Sequence, residues 1–212
     1  MTLSALYYSG EGIHVMKTFL SIMVLAVLLM AGQAVQAADT ERAVFAGGCF
    51  WCMESEFDSE KGVISVTSGY TGGSAETATY KQVSTGKTSH VEAVEIVFDP
   101  AVVSYQRLLT IFWRNVDPFD AEGQFCDKGS QYAAGIFYSG DAQKAAAEQS
   151  LADTEKKLDQ KVATFLRPAM AFYAAEDYHQ EYYKKNTIAY KSYRYGCGRD
   201  RKLERIWGAQ EK

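Results

Sequence analysis

One short stretch of the sequence, residues 42–54, constrains the fold more than any other. It reads RAVFAGGCFWCME, so an apolar run typical of a buried strand ends in two glycines and is followed by a segment of helical composition. Because glycine adopts backbone conformations that other residues avoid, Gly47 and Gly48 predict a tight turn from strand to helix. The turn places Cys49 at or next to the first residue of the helix.

The position of Cys49 predicts a reactive sulfur. Unpaired backbone N–H groups and the positive end of the helix dipole favour a thiolate there, so we expect a pKa below the roughly 8.5 of free cysteine. The neighbouring Phe50 and Trp51 indicate an apolar pocket beside the sulfur. The alternative at this point is a buried structural cysteine that acts only as a small apolar side chain.

The first 37 residues are expected to be a secretory signal peptide with an N-terminal extension. A positive charge at Lys17 precedes an apolar run of 13 residues and a series of small residues that ends near Ala37, the pattern of a cleaved secretory signal. The run is shorter than the roughly 20 residues of a membrane-spanning helix, although a retained anchor is the alternative. We expect export to the periplasm, cleavage after Ala37 or Ala38, and no stable membrane association. Met16 is a candidate start.

The rest of the chain has the length of one domain with its own core. We assign residues 38–191 to a catalytic domain and residues 192–212, rich in Gly, Arg and Lys, to a mobile C-terminal tail. The formal net charge of −4 gives no reason to expect a nucleic-acid partner. The protein is expected to be a monomer.

The order of hydrophobic segments predicts the fold class. Strands are expected at residues 43–46, 63–70, 90–99 and 131–138, and helices at residues 50–59, 104–115 and 142–158. Ser104 is expected to cap the second helix. The order β-α-β-β-α-β is that of the ferredoxin-like split β-α-β unit. We therefore predict an α+β fold, a two-layer sandwich with a ferredoxin-like core and added helices and loops.

The four cysteines, at positions 49, 52, 126 and 197, allow several interpretations. In an exported protein they could form two structural disulfides. A zinc site is disfavoured because only Cys49 and Cys52 have Cys-x-x-Cys spacing. That spacing after a strand is also found in thioredoxin-like oxidoreductases, but no proline lies in an obvious equivalent of their cis-proline.

Several motifs together resemble peptide methionine sulfoxide reductases of the A type. They are GGCFW at residues 47–51, SGYTGG at 68–73, HVEAV at 90–94, VFDP at 97–100, FWRNVDP at 112–118 and DKGSQY at 127–132. They follow one another at the spacing of that family, and the resemblance extends from about residue 42 to about residue 190. Enzymes of this class convert methionine sulfoxide back to methionine.

The resemblance implies a nucleophile and an acid. Cys49 corresponds to the nucleophile, and Glu92 to the acid that protonates the sulfoxide oxygen. Glu92 can act as an acid at neutral pH only if burial raises its pKa. The alternative is a solvated carboxylate at a strand edge; Glu95, on the opposite face of that strand, is expected to be the exposed one.

The resemblance also implies the substrate-binding residues. Tyr80 and Tyr132 would donate hydrogen bonds to the sulfoxide oxygen as negative charge develops on it. Asp127 would orient groups near the site. Phe50 and Trp51 would form the wall that holds the thioether methyl group. No metal and no organic cofactor is implied. Taken alone, each tyrosine is more often a packed side chain with a satisfied hydroxyl.

After oxygen transfer Cys49 would be a sulfenic acid, which condenses with a second thiol. By resemblance that thiol is Cys197, because the family usually supplies it from a flexible C-terminal segment and glycines flank Cys197 on both sides. A Cys49–Cys197 disulfide would follow, to be reduced by an external thioredoxin-like dithiol. Cys52 is the rival resolving thiol, and the role of Cys126 stays open.

The expected function is the reduction of methionine S-sulfoxide in oxidised proteins, and of free methionine sulfoxide, as a repair of oxidative damage. Two rivals remain at this point: a thiol–disulfide oxidoreductase that uses Cys49 and Cys52, and a disulfide-stapled binding domain. His179 is expected to pack or to hydrogen-bond locally rather than to take part in catalysis.

Overall fold

A computed structural model describes residues 39–208 of the chain. The expected signal peptide and its cleavage site after Ala37 or Ala38 lie outside these residues. Within the described range, no helix combines the length and the apolar character that crossing a membrane requires.

Eight strands and seven helices make up this part of the chain. The strands are β1 (Glu41–Ala46), β2 (Val63–Thr71), β3 (Val91–Phe98), β4 (Gly123–Gln124), β5 (Asp127–Lys128), β6 (Gly135–Tyr138), β7 (Phe165–Pro168) and β8 (Phe172–Ala174). The helices are α1 (Phe50–Phe57), α2 (Tyr80–Val83), α3 (Tyr105–Arg114), α4 (Gly140–Leu158), α5 (Tyr182–Lys185), α6 (Thr187–Cys197) and α7 (Arg199–Trp207). Single 3₁₀ turns occur at Ala75–Thr77 and Ser130–Tyr132.

The main sheet has the strand order β7-β6-β1-β3-β2-β8. Its four central strands are antiparallel, with β1 between β6 and β3, and β2 on the far side of β3. This is the arrangement expected of the ferredoxin-like β-α-β-β-α-β unit, so the predicted α+β class is confirmed. The two outer strands extend that core: β7 runs parallel to β6, and β8 runs antiparallel to β2.

Aromatic side chains fill the space between the sheet and the helices. The ring of Phe45 on β1 lies 5.5 Å from that of Phe57 on α1 and 5.3 Å from that of Phe112 on α3. As predicted, Ser104 caps α3, since its hydroxyl accepts a hydrogen bond from the N–H of Arg107 at 3.2 Å. Helices α1 and α3 are thereby fixed on the sheet, and with them the residue that begins α1.

The strand predicted at residues 131–138 is shorter than expected. Only Gly135–Tyr138 pair with the sheet, and the preceding residues form a loop with a 3₁₀ turn that ends at Tyr132. Gly129 has φ 119°, a conformation that side chains of L-residues rarely adopt. The backbone therefore leaves the extended path here, and Tyr132 stands in a loop.

The C-terminal segment is folded, not mobile as predicted, throughout its described part. Residues 192–197 belong to α6 and residues 199–207 to α7, and Arg199, Leu203 and Trp207 on α7 are buried. The Trp207 indole N–H donates to the carbonyl of Val116 at 3.0 Å. The spacing of the three buried residues is that of one face of a helix, a signal that the charged residues between them obscure.

The docking of α7 can be tested with a pair of substitutions. Leu203→Ala should lower the free energy of unfolding by about 2–5 kcal/mol, as for other buried leucines. Glu204→Ala, at the exposed neighbouring position, should change it by less than about 0.5 kcal/mol. Urea unfolding of the two variants provides the measurement. Equal, negligible effects would indicate an undocked tail.

Candidate active site

Most of the predicted site residues surround one small cavity. The cavity has a volume of about 60 Å³ and is lined by Cys49, Phe50, Trp51, Tyr80, Glu92, Asp127, Tyr132 and Tyr193. All of these except Tyr193 are site residues expected from the sequence, and of the expected set only Cys197 does not line the cavity. Two larger grooves in the described part of the chain, of about 370 and 450 Å³, contain no cysteine. A third, of about 300 Å³, is lined in part by Cys197.

Cys49 lies where the sequence predicts, at the N-cap of α1. Its carbonyl accepts hydrogen bonds from the N–H groups of Cys52 (3.1 Å) and Met53 (3.3 Å). The turn before it depends on glycine: Gly48 has φ 76°, and a Cβ there would lie 2.5 Å from the Cβ of Gln124. The strand-to-helix turn therefore fixes the position of the sulfur through backbone geometry.

Sheet register brings Glu92 to the same place. Phe45 on β1 pairs with Val94 on β3 in an antiparallel ladder. The end of β1 therefore lies beside the beginning of β3, where Glu92 is the second residue. The N–H of Phe50, at the start of α1, donates to the Glu92 carboxyl at 3.1 Å.

Glu92 is a buried acid, not a solvated strand-edge carboxylate. Its side chain is almost fully enclosed, with 3% of the residue exposed. Burial raises its pKa to about 8, with smaller contributions from the negative charges of Asp127 and Cys52, against the opposing hydrogen bond from Phe50. Glu95, by contrast, is partly exposed and pairs with Arg42 at 2.5 Å. Glu92 therefore holds a proton at neutral pH.

The expectation of a lowered pKa for Cys49 is wrong. Burial raises the pKa of this thiol well above its ordinary value, and the neighbouring Cys52 and the carboxyls of Glu92 and Asp127 raise it further. The N–H groups at the start of the helix stabilise a Cys49 thiolate less than predicted, because the Phe50 N–H donates to Glu92. In this state Cys49 is a thiol.

Cys52 is a second buried, free thiol beside Cys49. A hydrogen bond from the Cys49 side chain lowers the pKa of Cys52 to about 7 against the effect of burial, and the positive charges of Arg199 and Arg194 lower it further. Because the two side chains are hydrogen-bonded to each other, Cys52 loses its proton at a lower pH than Cys49 does. Its partial ionisation near neutral pH does not follow from the sequence, because Arg199 approaches from the distant helix α7.

Trp51, one of the aromatic residues that line the cavity, is held in place by Tyr182 and His179. The Trp51 ring stacks on Tyr182, with 3.9 Å between centroids and 11° between planes. The Trp51 indole N–H donates to Nδ1 of His179 at 3.1 Å. His179 thus makes the local bond expected of it and orients Trp51.

Tyr80 and Tyr132 are placed to donate hydrogen bonds into the cavity. Burial raises the pKa of both phenols, and the charge of Glu92 adds to the effect, so both hydroxyls keep their protons. Among residues 39–208 neither hydroxyl has a hydrogen-bond partner, although the N–H of Tyr80 donates to Glu176 at 3.0 Å. Two donors are therefore available to a ligand oxygen.

Tyr193 is the cavity residue that the sequence analysis missed. Its hydroxyl donates to Asp127 at 2.5 Å. Burial raises the pKa of Asp127, and this hydrogen bond opposes the rise. Tyr193 lies in α6, inside the segment expected to be mobile, and helical folding of that segment is what brings it to the site. Asp127 accordingly holds a cavity-lining side chain in place.

Cys197 is not bonded to Cys49 in this structure. It forms a disulfide with Cys126, with 5.0 Å between their Cα atoms, while Cys49 and Cys52 are free. Asp127 lies between this disulfide and the cavity, because one of its carboxyl oxygens is 3.8 Å from Sγ of Cys126. The predicted Cys49–Cys197 pairing is therefore absent from the described state, and Cys126 takes the place of Cys49.

Comparison with known proteins agrees with the resemblance seen in the motifs. Residues 41–211 match the family profile described as "Peptide methionine sulfoxide reductase". The chain is 46% identical over 185 residues to "Peptide methionine sulfoxide reductase MsrA 2" of Caulobacter vibrioides, which covers 87% of this chain and 94% of that protein. It is 50% identical over 173 residues to "Peptide methionine sulfoxide reductase MsrA" of Bacillus subtilis, with coverage of 80% and 97%.

A solved structure shows the same fold. Mxr1 from Saccharomyces cerevisiae in its reduced form superposes with a TM-score of 0.68 at 30% identity, over 73% of this chain and 90% of the yeast chain. Because the family profile covers most of the sequence and the bacterial relatives match along nearly their whole length, the chain belongs to the peptide methionine sulfoxide reductase family.

Proposed function

We propose that this protein reduces methionine S-sulfoxide in oxidised proteins, and free methionine sulfoxide, to methionine. One observation carries the proposal: a buried carboxyl that keeps its proton at neutral pH lies beside Cys49 in an aromatic cavity. A sulfoxide needs both groups, since its oxygen leaves sulfur only after protonation and sulfur then accepts a nucleophile.

The size of the cavity supports a side chain as the substrate. About 60 Å³ is of the order of two water molecules, at roughly 30 Å³ each, which suits the methyl sulfoxide end of methionine. The methyl group would lie against Phe50 and Trp51, and the oxygen would face Tyr80, Tyr132 and Glu92. The rest of the substrate stays outside, so a methionine on a protein surface fits as well as the free amino acid.

The chemical step uses the protons of Glu92 and Cys49, which both groups keep because burial raises their pKa. Glu92 donates its proton to the sulfoxide oxygen, which makes sulfur electrophilic, and the Cys49 sulfur attacks. The proton of the Cys49 thiol replaces the one that Glu92 gave up. Oxygen passes to Cys49, methionine leaves, and Cys49 is left as a sulfenic acid. The hydroxyls of Tyr80 and Tyr132 stabilise the charge that develops on oxygen.

Regeneration needs a thiol and an external reductant. Cys197 is the resolving thiol we propose, because it ends α6, one helical turn after the cavity residue Tyr193. Its attack on the sulfenic acid forms a disulfide and releases water. A thioredoxin-like dithiol then reduces the protein. No metal or organic cofactor enters this sequence, and the protein is proposed to act as a monomer.

We also propose that the protein acts after export to the periplasm. The charged start, short apolar run and small residues before Ala38 support a cleaved signal. In that oxidising compartment a disulfide persists without a dedicated reductant, so activity in the cell would depend on a thiol relay from the cytoplasm.

Export is tested by expressing the full chain in a Gram-negative host. The mature protein should be found in the periplasmic fraction, with an N-terminal residue of Ala38 or Asp39 by peptide sequencing. A version that starts at Ala38 after an initiator methionine should stay in the cytoplasm as a matched control. Recovery of the full chain with residues 1–37 attached would contradict the proposal.

The nucleophile is tested with two cysteine variants and dabsylated methionine S-sulfoxide. Cys49→Ser should abolish methionine release even with dithiothreitol, because no other sulfur reaches the substrate in the cavity. Cys52→Ser should still release methionine in a single turnover. A thiol–disulfide oxidoreductase would release no methionine from any of these proteins, the wild type included, because it does not consume the sulfoxide. Appreciable turnover by Cys49→Ser would refute the mechanism.

The acid is tested with Glu92→Gln, which keeps the shape of the side chain but has no acidic proton. The single-turnover rate of methionine release should fall by about 10²–10⁴, the usual span for general acid catalysis. In the wild type that rate should decline as pH rises through about 8, since Glu92 then loses its proton. Glu95→Gln, on the other face of β3, is the matched control. An unchanged rate in Glu92→Gln would remove Glu92 from the mechanism.

A further inference from the structure

One carboxylate beside the cavity has no part in the mechanism above. Glu176 belongs to the turn between β8 and α5, residues 175–181, and does not line the cavity. One of its carboxyl oxygens accepts a hydrogen bond from the backbone N–H of Tyr80 at 3.0 Å, and the other accepts one from the Tyr70 hydroxyl at 2.9 Å. A single side chain therefore joins a cavity-lining tyrosine to strand β2, on which Tyr70 lies.

We propose that Glu176 is a positioning residue, which holds the hydroxyl of Tyr80 in place for the sulfoxide oxygen. Glu176 acts through Tyr80 and does not itself contact the substrate. The proposal rests on the proposed function and deepens it, because it assigns the alignment of one of the two hydroxyl donors to a residue outside the cavity.

Tyr80 needs a partner outside its own helix because that helix is short. Helix α2 has four residues, Tyr80–Val83, and Tyr80 is the first of them. The first N–H groups of a helix have no partner inside it, and a single turn is not stable alone. The side chain of the N-cap residue, Thr79, makes no capping hydrogen bond. Glu176 supplies the missing acceptor and fixes the start of α2 at the residue that enters the cavity.

Glu176 is itself fixed by the main sheet. Its partner Tyr70 is completely buried on β2. The side-chain amide of Gln180, near the other end of the turn, donates to the carbonyl of Ser68 at 2.9 Å and accepts from the N–H of Ser68 at 3.0 Å. The N–H of Ala175 donates to the same carbonyl at 2.9 Å. The turn is thus bonded to β2 on both sides of Glu176, which gives the carboxyl a defined position.

Glu176 is a hydrogen-bond acceptor, not an acid. Burial alone would raise the pKa of its carboxyl, but the hydrogen bonds from Tyr80 and Tyr70 help to outweigh burial and hold that pKa below its usual range. Glu176 is therefore ionised at neutral pH, and both of its oxygens accept. In this respect it is the opposite of Glu92, whose proton is kept by burial.

The same turn also contacts the ring of Tyr80. The ring centroids of His179 and Tyr80 lie 4.4 Å apart. Tyr80 is thus held at its backbone and at its ring, while its hydroxyl has no hydrogen-bond partner among residues 39–208. A donor stabilises developing charge on an oxygen most when it is oriented before the reaction. The alignment of this hydroxyl therefore depends on the turn.

Replacing Glu176 in three backgrounds tests the proposal, with single-turnover methionine release from saturating methionine S-sulfoxide as the measurement. In the wild type, Glu176→Ala should slow release only moderately, because Tyr132 still donates. In Tyr132→Phe, where Tyr80 is the remaining hydroxyl donor, the same change should slow release by about tenfold. In Tyr80→Phe it should change the rate by less than about twofold, because the hydroxyl that Glu176 positions is already absent.

Two further substitutions separate geometry from charge and keep the test valid if Glu176→Ala fails to fold. In the Tyr132→Phe background, Glu176→Gln should stay within about twofold of the unsubstituted rate, because its amide oxygen accepts from Tyr80 and its N–H donates to the Tyr70 hydroxyl. Glu176→Asp keeps the charge but is one methylene shorter, so it cannot reach both partners and should slow release as Glu176→Ala does. Asp177→Asn, at the exposed neighbouring carboxyl, is the matched control and should leave the rate unchanged.

Equal slowing by Glu176→Ala in all three backgrounds would show that Glu176 only supports the fold, and would overturn the proposal. A Glu176→Gln variant as slow as Glu176→Asp would also overturn it, because charge rather than position would then matter. Both results leave the reductase function intact, whereas no methionine release by the reduced wild type would refute the function itself.

Discussion

The hydrogen bond from the backbone N–H of Phe50 to the buried carboxyl of Glu92 is the contact on which the site depends. It joins the first residue of α1 to the start of β3, two points separated by 42 positions in the chain. The antiparallel pairing of β1 and β3 brings them together, because the end of one strand lies beside the beginning of the other. A fold with a different strand order would leave Cys49 without its acid.

Burial then sets the protonation of the whole site. The enclosed carboxyl and thiol both keep their protons, since the low-dielectric cavity disfavours charge and neighbouring negative groups add to the cost. A site with two available protons suits a substrate whose oxygen must be protonated before it leaves. Ionisation of Cys49 is thereby postponed until a polarised sulfur is bound next to it, and the thiol is protected from other oxidants in the meantime.

Local signals in the sequence are sufficient to predict much of this arrangement. The two glycines before Cys49 predicted the turn and the helix start, and Ser104 predicted the cap of α3. Motif resemblance identified Tyr80 and Tyr132, which pattern alone could not separate from the other tyrosines of the chain. Each of these inferences concerns a residue and its near neighbours, or a position within a known motif.

Apart from the strand predicted at residues 131–138, whose start is interrupted by a local turn, the errors concern contacts between distant segments. The pKa of Cys49 depends on how fully the rest of the fold covers it, which its position at a helix start does not reveal. The docking of helix α7 is not predicted from the sequence, because an arginine such as Arg199 is usually solvated. In the fold Arg199 is buried, and its guanidinium donates to the carbonyl of Asn115 at 2.6 Å. The partner of Cys197 was likewise open, since spacing along the chain does not determine which cysteines pair.

The central claim is that Glu92 keeps a proton beside Cys49 at neutral pH. Infrared difference spectra of wild type and Glu92→Gln, recorded across a pH titration, test it most directly. The account predicts a carboxylic-acid carbonyl band in the wild type at pH 7 that is absent from the variant and disappears as pH rises through about 8. A carboxylate signal for Glu92 already at pH 6 would contradict it.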